Sequence, residues 1–314
     1  MARFGYKLMT EEHGPKALVA NAVRAERAGF DFVSISDHFH PWLDAQGHAP
    51  FAWSVLGAIA PATAKIGIAT GLTCPILRYH PAIVAQAAAT IAVMSDGRFT
   101  LSVGAGERLN EHVTGVRWPS IPERHAMLGE AIDIFRLLWR GGVQNHKGAH
   151  YVVDHAQIFD LPEKPIPVVL GVSGPASLAL ANEKADGIMA TSPEADLVKG
   201  FKQGKGPAYG EVALAWAGTE EAGRKLAHER FRFSAFDWSV NSELPSVEGF
   251  ETASKFVRPE DLADTIPAGP DPEVHLKAIR KYLDAGFDHV VLTGIGPDQE
   301  GFARFFEKEL RPHL

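Results

Sequence analysis

The sequence predicts a closed (β/α)8 barrel, and three observations carry that prediction. The junction Ala28-Gly29-Phe30-Asp31, running into Phe32-Val33-Ser34-Ile35, returns near the other end as Ala285-Gly286-Phe287-Asp288 before His289-Val290-Val291-Leu292. Looser copies stand at Ser95-Asp96-Gly97 and Ala185-Asp186-Gly187. At each, a helical pattern stops at or near a glycine suited to the left-handed position after a helix. A short apolar strand then follows, as in a parallel sheet buried on both faces. The second observation is that strand and helix patterns alternate through the chain, which favours closure. The third is an absence. An open doubly wound sheet wants a glycine-rich turn after its first strand, and Met9-Thr10-Glu11-Glu12-His13 has no glycine.

The eight strands are expected at Phe4–Leu8, Phe32–Ile35, Ile66–Thr70, Phe99–Val103, Val168–Val172, Ile188–Ala190, Val212–Ala217 and Val290–Leu292. The helices are expected at Pro15–Ala28, Phe51–Ala62, Pro81–Met94, Ile121–Trp139, Pro175–Lys184, Glu194–Phe201, Glu220–Phe231 and Gly301–Leu310. Pro15, Pro81 and Pro175 fall where a first helical turn tolerates a missing N–H. Two stretches exceed the repeat. Gly141 to Leu161, after the fourth helix, contains a hairpin pattern at Gly148–Val153. Residues 234–285, between strands seven and eight, read as a helical insertion that shapes the substrate pocket and ends in a helix near Glu273–Asp284. The whole chain, 1–314, is read as one barrel domain.

Composition narrows the function. The net charge is −7, and no Lys/Arg run suits nucleic acid or an anionic membrane. The longest apolar stretch, Ile83 to Val93, falls short of the ~18 residues of a membrane span. One cysteine, Cys74, rules out an internal disulfide and fits a reducing, cytoplasmic setting. Met1 to Lys7 lacks the apolar region of a signal peptide. The partner left is a small-molecule substrate.

In a barrel, residues directly after strands are the candidates for chemistry. After the second strand stand Ser36-Asp37-His38-Phe39-His40-Pro41-Trp42, a carboxylate, two imidazoles and an indole at one rim. An imidazole beside a carboxylate suits proton transfer near neutral pH. A metal pair at His38 and His40 needs further ligands at other strand ends, and none of those supplies a histidine. After the third strand, Gly71 in Thr70-Gly71-Leu72-Thr73-Cys74-Pro75 allows unusual backbone beside a flat ring. Cys74 has no base beside it in sequence and reads as a small buried residue. After the fourth come Gly104-Ala105-Gly106-Glu107-Arg108-Leu109-Asn110-Glu111, where Glu107 stands at the rim behind two glycines. After the fifth, Gly171-Val172-Ser173-Gly174-Pro175 opens a helix. This is either a phosphate site or an ordinary capped start.

Together these segments resemble the deazaflavin-dependent branch of the bacterial-luciferase-like monooxygenase superfamily. Within it, the likeness is to the group built around F420-dependent glucose-6-phosphate dehydrogenase. It runs over nearly the whole chain and is strongest from Phe4 to about Gly115. The rim motifs at Ser36–Trp42 and Gly104–Glu111 carry it, with support from Gly296-Pro297-Asp298-Gln299-Glu300-Gly301-Phe302.

The resemblance implies coenzyme F420 as cofactor, hydride transfer to or from a CH–OH group, and a homodimer. It implies Asp37 at the cofactor ring, His38 near the reacting carbon and hydroxyl, Trp42 walling the substrate, and Glu107 on the N1 side. It adds Asn110 and Gly106 as cofactor contacts, and a bulge at Gly71-Leu72-Thr73 that often carries a non-prolyl cis peptide. A phosphate loop falls at Val172, Ser173 and Gly174. The loop after the sixth strand, Thr191-Ser192-Pro193-Glu194-Ala195-Asp196, departs from the pattern. Glu194 stands where the sugar-phosphate enzymes carry a lysine, so a neutral alcohol or carbonyl becomes at least as fitting a substrate as a sugar phosphate. Two rival readings stay open, an FMN-dependent monooxygenase of the same superfamily and a cofactor-binding protein without turnover.

Overall fold

The computed structural model describes residues 2–314. Its strands are β1 (Arg3–Leu8), β2 (Phe32–Ile35), β3 (Gly67–Thr70), β4 (Phe99–Val103), β5 (Gln144–Lys147), β6 (Val152–Ala156), β7 (Val168–Gly171), β8 (Gly187–Ala190), β9 (Ala208–Leu214) and β10 (His289–Gly294). The parallel strands β1, β2, β3, β4, β7, β8, β9 and β10 close in that order into a barrel, with β10 pairing back onto β1. Tyr6, for example, lies between Leu292 and Val33. The helices are α1 (Pro15–Ala28), α2 (Ala52–Ala62), α3 (Pro81–Met94), α4 (Arg108–Glu111), α5 (Ile121–Leu138), α6 (Pro175–Lys184), α7 (Ala195–Gly200), α8 (Glu220–Phe231), α9 (Trp238–Asn241), α10 (Val247–Ala253), α11 (Pro272–Asp284) and α12 (Gln299–Phe305). The main apolar core lies between the barrel and this outer ring. Among the described residues, no helix is long and apolar enough to cross a membrane.

The repeated junction has a physical reason at both of its halves. Gly29 and Gly286 take left-handed φ values of 84° and 97°, which a side chain disfavours. In three of the four copies the aspartate accepts a backbone N–H at the start of a neighbouring strand. Asp31 Oδ2 accepts from Phe4 N at 2.8 Å, Asp186 Oδ2 from Val168 N at 2.9 Å, and Asp288 Oδ1 from Ala208 N at 2.9 Å. The motif therefore stops a helix and anchors the start of the adjoining strand in one step.

Two elements differ from expectation by more than two residues. The seventh barrel strand, expected at Val212–Ala217, is Ala208–Leu214. Its opening Ala208-Tyr209-Gly210 lacks an apolar run. At its far end Ala215 N donates to Pro267 O and Ala215 bridges Ala268, so the chain leaves the barrel for the insertion. The last helix begins at Gln299, because Asp298 caps it by accepting from Gly301 N, and it passes into a π-helical turn at Phe306–Leu310. The hairpin after α5 is present as β5 and β6, and Glu130 accepts from the N–H groups of Ala149, His150 and Tyr151 at its turn. The 234–285 stretch between β9 and β10 carries α9 to α11.

Candidate active site

Four loops meet at the C-terminal mouth of the barrel, those after β1, β2, β3 and β4. His38 stands at their meeting point, mostly buried. Its Nδ1 lies 3.2 Å from the His40 carbonyl. A carbonyl only accepts, so Nδ1 carries the proton and the neutral ring keeps its lone pair on Nε2. That nitrogen is 3.5 Å from Glu11 Oε1 and 3.8 Å from Glu107 Oε1. An imidazolium formed by taking a proton at Nε2 thus finds two carboxylates in place. Burial alone raises the Glu11 carboxyl. The charge His38 carries when protonated, a hydrogen bond from Ser36 and the charge of Lys7 outweigh it and hold Glu11 below its usual range.

Below this pair lies a buried charge network. Asp37 has a fully buried side chain. It accepts from Thr73 Oγ1 at 2.8 Å, Tyr79 OH at 2.9 Å and Arg78 Nη2 at 3.1 Å. Arg78 also reaches the second buried carboxylate, Glu111, with Nε 3.4 Å from Oε1 and its backbone N 2.9 Å from Oε2. Burial pushes Glu111 up to about 7, with Glu107 and Asp37 adding to the rise against the opposing charge of Arg78. Two buried acids on one guanidinium are costly to desolvate and costlier still to leave unpaired.

Asn110 holds two loops together. Its Oδ1 accepts from Phe39 N at 2.7 Å and His40 N at 2.9 Å, and its Nδ2 donates to Glu107 Oε1. Glu107 therefore has a fixed aim, and the loop carrying His38 is tied to the loop carrying Glu107. Gly71-Leu72 is a cis peptide. The Gly71 carbonyl accepts from Lys7 Nζ at 2.6 Å, and Lys7 also pairs with Glu211 at 2.7 Å inside the barrel. The Leu72 side chain lies over Gly104 and Gly171, where any larger residue would meet it. Gly106, at φ 72°, lies against Cys74, whose thiol burial pushes up.

The other expected positions are Trp42, beside His38, and the loops after β7 and β8. At Val172-Ser173-Gly174, Ser173 N donates to Ser177 Oγ at 3.0 Å. Gly174 caps α6 without a side-chain hydrogen bond, and open space lies where its Cβ would be. The helix start is therefore left to an outside acceptor. Trp42 is buried. It packs edge-on to His38 at 5.0 Å, stacks on Phe233 at 4.9 Å and meets Phe250 edge-on at 5.1 Å. Thr191 is exposed, and its carbonyl accepts from Tyr282 OH at 2.7 Å. Glu194 is exposed and accepts from Ser192 Oγ at 3.0 Å.

The structure thus gathers His38, Glu107 and Trp42 at one rim, and it seats Asp37, Thr73 and Asn110 beneath them with their polar atoms engaged. Sequence reasoning missed Glu11, Arg78, Tyr79 and Glu111. Glu11 was within reach, because it stands in the loop directly after β1.

The luciferase-like monooxygenase family matches residues 1–203. F420-dependent glucose-6-phosphate dehydrogenase of Nakamurella multipartita is 37% identical, covering 99% of this chain and 96% of its own. The enzyme of that name from Amycolatopsis mediterranei is 38% identical, covering 100% and 99%. Among solved structures, an F420-dependent secondary alcohol dehydrogenase in complex with an F420-acetone adduct superposes with a TM-score of 0.91 at 28% identity, covering 99% and 98%. The chain belongs to the luciferase-like monooxygenase family. Within that family it stands in the group of F420-dependent glucose-6-phosphate dehydrogenases.

Proposed function

We propose that this protein is a coenzyme F420-dependent oxidoreductase that moves a hydride between a CH–OH carbon and the deazaflavin. One observation carries the chemistry: a histidine whose free Nε2 sits between two carboxylates at the mouth, beside the indole of Trp42. The residues present fit the cofactor. The uncapped start of α6 at Val172, Ser173 and Gly174 suits a phosphodiester, and the glycine-bearing loops at Gly71-Leu72-Thr73 and Gly104–Gly106 leave backbone close to a flat ring. When bound, F420 supplies two-electron hydride chemistry at C5 and little reaction with oxygen.

In this reading His38 takes the hydroxyl proton of an alcohol at Nε2, and Glu11 and Glu107 stabilise the imidazolium that results. Glu107 also holds or releases a proton on the N1 side of the ring. Asp37, Asn110 and Thr73 act by position. Asp37 fixes Arg78, Tyr79 and Thr73, and Asn110 fixes the aim of Glu107. Trp42, with Phe233 and Phe250 behind it, excludes water from one wall of the substrate space. Phe250 lies in the 234–285 insertion and Phe233 at its edge, so residues 1–314 work as one barrel domain whose insertion builds the pocket wall.

Glu194, with Asp196 beside it, favours a neutral alcohol or ketone over a phosphorylated sugar, because exposed carboxylates repel a dianion. Thr191 is the neutral member of the same loop. The outer faces of α2 and α3 support a homodimer. Neither helix carries a charged residue, and Ile83, Val93 and Met94 are exposed along α3. The single cysteine suits a cytoplasmic setting.

The reading is tested by calorimetric titration with F420, FMN and NAD(P), followed by kinetics on secondary alcohols and sugar phosphates. F420 is expected to bind tightest. Glu194→Lys is expected to raise affinity for a sugar phosphate several-fold, on the order of 1 kcal/mol after screening, and to leave a neutral alcohol unchanged. Tight FMN binding with no F420 binding would overturn the proposal.

A further inference from the structure

The opposite end of the barrel carries a second charged opening. A cleft of about 400 Å³ lies at the floor, where the strands begin, and Arg3, Lys65, Lys164, Thr100, Tyr209 and His289 line it. Among the described residues no carboxylate lines it, although the chain as a whole carries a net charge of −7. The acids at this end are engaged mostly by backbone N–H groups, and Asp288 also pairs with His289 of the lining. Asp31 accepts from Phe4 N, Asp288 from Ala208 N and from His289 Nδ1, and Glu26 from the N–H groups of Ala64, Lys65 and Ile66. Arg3, Lys65 and Lys164 are exposed and make no ion pair among the described residues.

The cations have a built setting. The stem of Lys164 lies over Gly97, whose φ of 76° and missing side chain leave room for it. Arg98 is fixed in the wall by donating to the carbonyls of Ala60, Thr63 and Ile66, so its charge is present while its fork is taken. The back wall is aromatic. Tyr209 lies 4.3 Å from His289 and meets Phe32 edge-on at 5.7 Å. His289 Nε2 and the Tyr209 hydroxyl have no partner among the described residues.

We infer that this floor cleft binds a small phosphate ester, independently of the mouth where hydride chemistry is proposed. Its volume falls in the range of small-molecule sites. Two lysines act as flexible point charges suited to phosphate. The guanidinium of Arg3, which makes no ion pair among the described residues, adds a planar fork that pairs with phosphate oxygens. The Tyr209 hydroxyl supplies a further hydrogen bond, and the aromatic wall accepts a ring if the ester carries one. Barrel floors ordinarily contribute only stability, so a cluster of exposed, unpaired cations around an aromatic-walled cleft there points to an anion.

The test is calorimetry on the full chain at fixed ionic strength, with pyrophosphate, AMP and citrate as probes. The wild type is expected to bind one equivalent of pyrophosphate or AMP at the floor, and AMP the tighter if the ring uses the aromatic wall. Citrate is expected to bind at least ~10-fold more weakly. Lys65→Glu with Lys164→Glu should weaken the phosphate probes ~10-fold or more. Gly174→Val, which alters the helix start at the mouth, should leave that floor binding unchanged. If the double variant does not fold, the single changes Lys65→Gln and Lys164→Gln should each cost about threefold. Phosphate binding that survives charge reversal, is abolished by Gly174→Val, is matched by citrate or is absent altogether would overturn the inference.

Discussion

The two ends of this barrel treat carboxylates in opposite ways. At the floor, Asp31, Asp186 and Asp288 each accept a backbone N–H from an adjoining strand and serve the closure of the sheet. At the mouth, Glu11 and Glu107 face an imidazole, while Asp37 and Glu111 share one arginine below it. The same side chain is spent on architecture at one end and kept for charge and proton handling at the other. The difference lies in the partner. A backbone N–H is fixed and neutral, whereas His38 offers a site for a moving proton and Arg78 carries a charge that must be balanced. Changes at the floor should therefore cost stability without altering chemistry, and changes at the mouth should do more.

The largest stability effect should come from Arg78→Met. It leaves two buried carboxylates without their cation, a loss of about 3–5 kcal/mol if both stay charged. Denaturant melts of parent and variant measure it, and a variant as stable as the parent would show that the network is not needed.

A smaller effect belongs to Glu12. Burial pushes its carboxyl up to about 7, and its Oε1 has no hydrogen-bond partner, although Oε2 accepts from Gly296 N at 2.8 Å. A folded-state pKa above the ordinary value means that the folded chain holds this proton more tightly. Its contribution is therefore fully present below about pH 4.5 and is lost as pH rises through 7. Glu12→Gln should remove that dependence, so the stability of the variant relative to the parent should rise by up to ~3 kcal/mol between pH 5 and 8. Melts across that window decide, and parallel curves for the two proteins would break the claim.

The smallest is at the floor. Asp31→Ala unpairs the Phe4 N–H and should cost about 1–2 kcal/mol with turnover at the mouth unchanged. Melting read together with steady-state kinetics would blur the contrast between the two ends if kcat fell as well.

Much of the fold was legible because its punctuation is local. α1, α3, α6 and α8 begin and end where the sequence predicts, three of them at a proline in the first turn, and β2 and β4 match to the residue. β9 was misplaced because what ends it is a pairing of Ala215 with Ala268, more than fifty residues away. The site divides the same way. His38, Glu107 and Trp42 could be found because each lies just beyond a strand. Arg78 and Glu111 could not be assigned, because their meaning is a contact across 33 residues with no local pattern to announce it. Asp37 was legible as an important acid. What the sequence did not convey is that its side chain is buried and engaged by Thr73, Arg78 and Tyr79.

The measurement that tests the central claim most directly is single-turnover kinetics with F420 already bound. Oxidised cofactor on wild type and on His38→Ala is mixed with the best alcohol substrate, and loss of the deazaflavin absorbance is followed. With His38 as the base, the variant should bind F420 within a few-fold of the parent and reduce it ~10²–10⁴-fold more slowly. Reduction at the parental rate by His38→Ala, with cofactor affinity intact, would contradict the account.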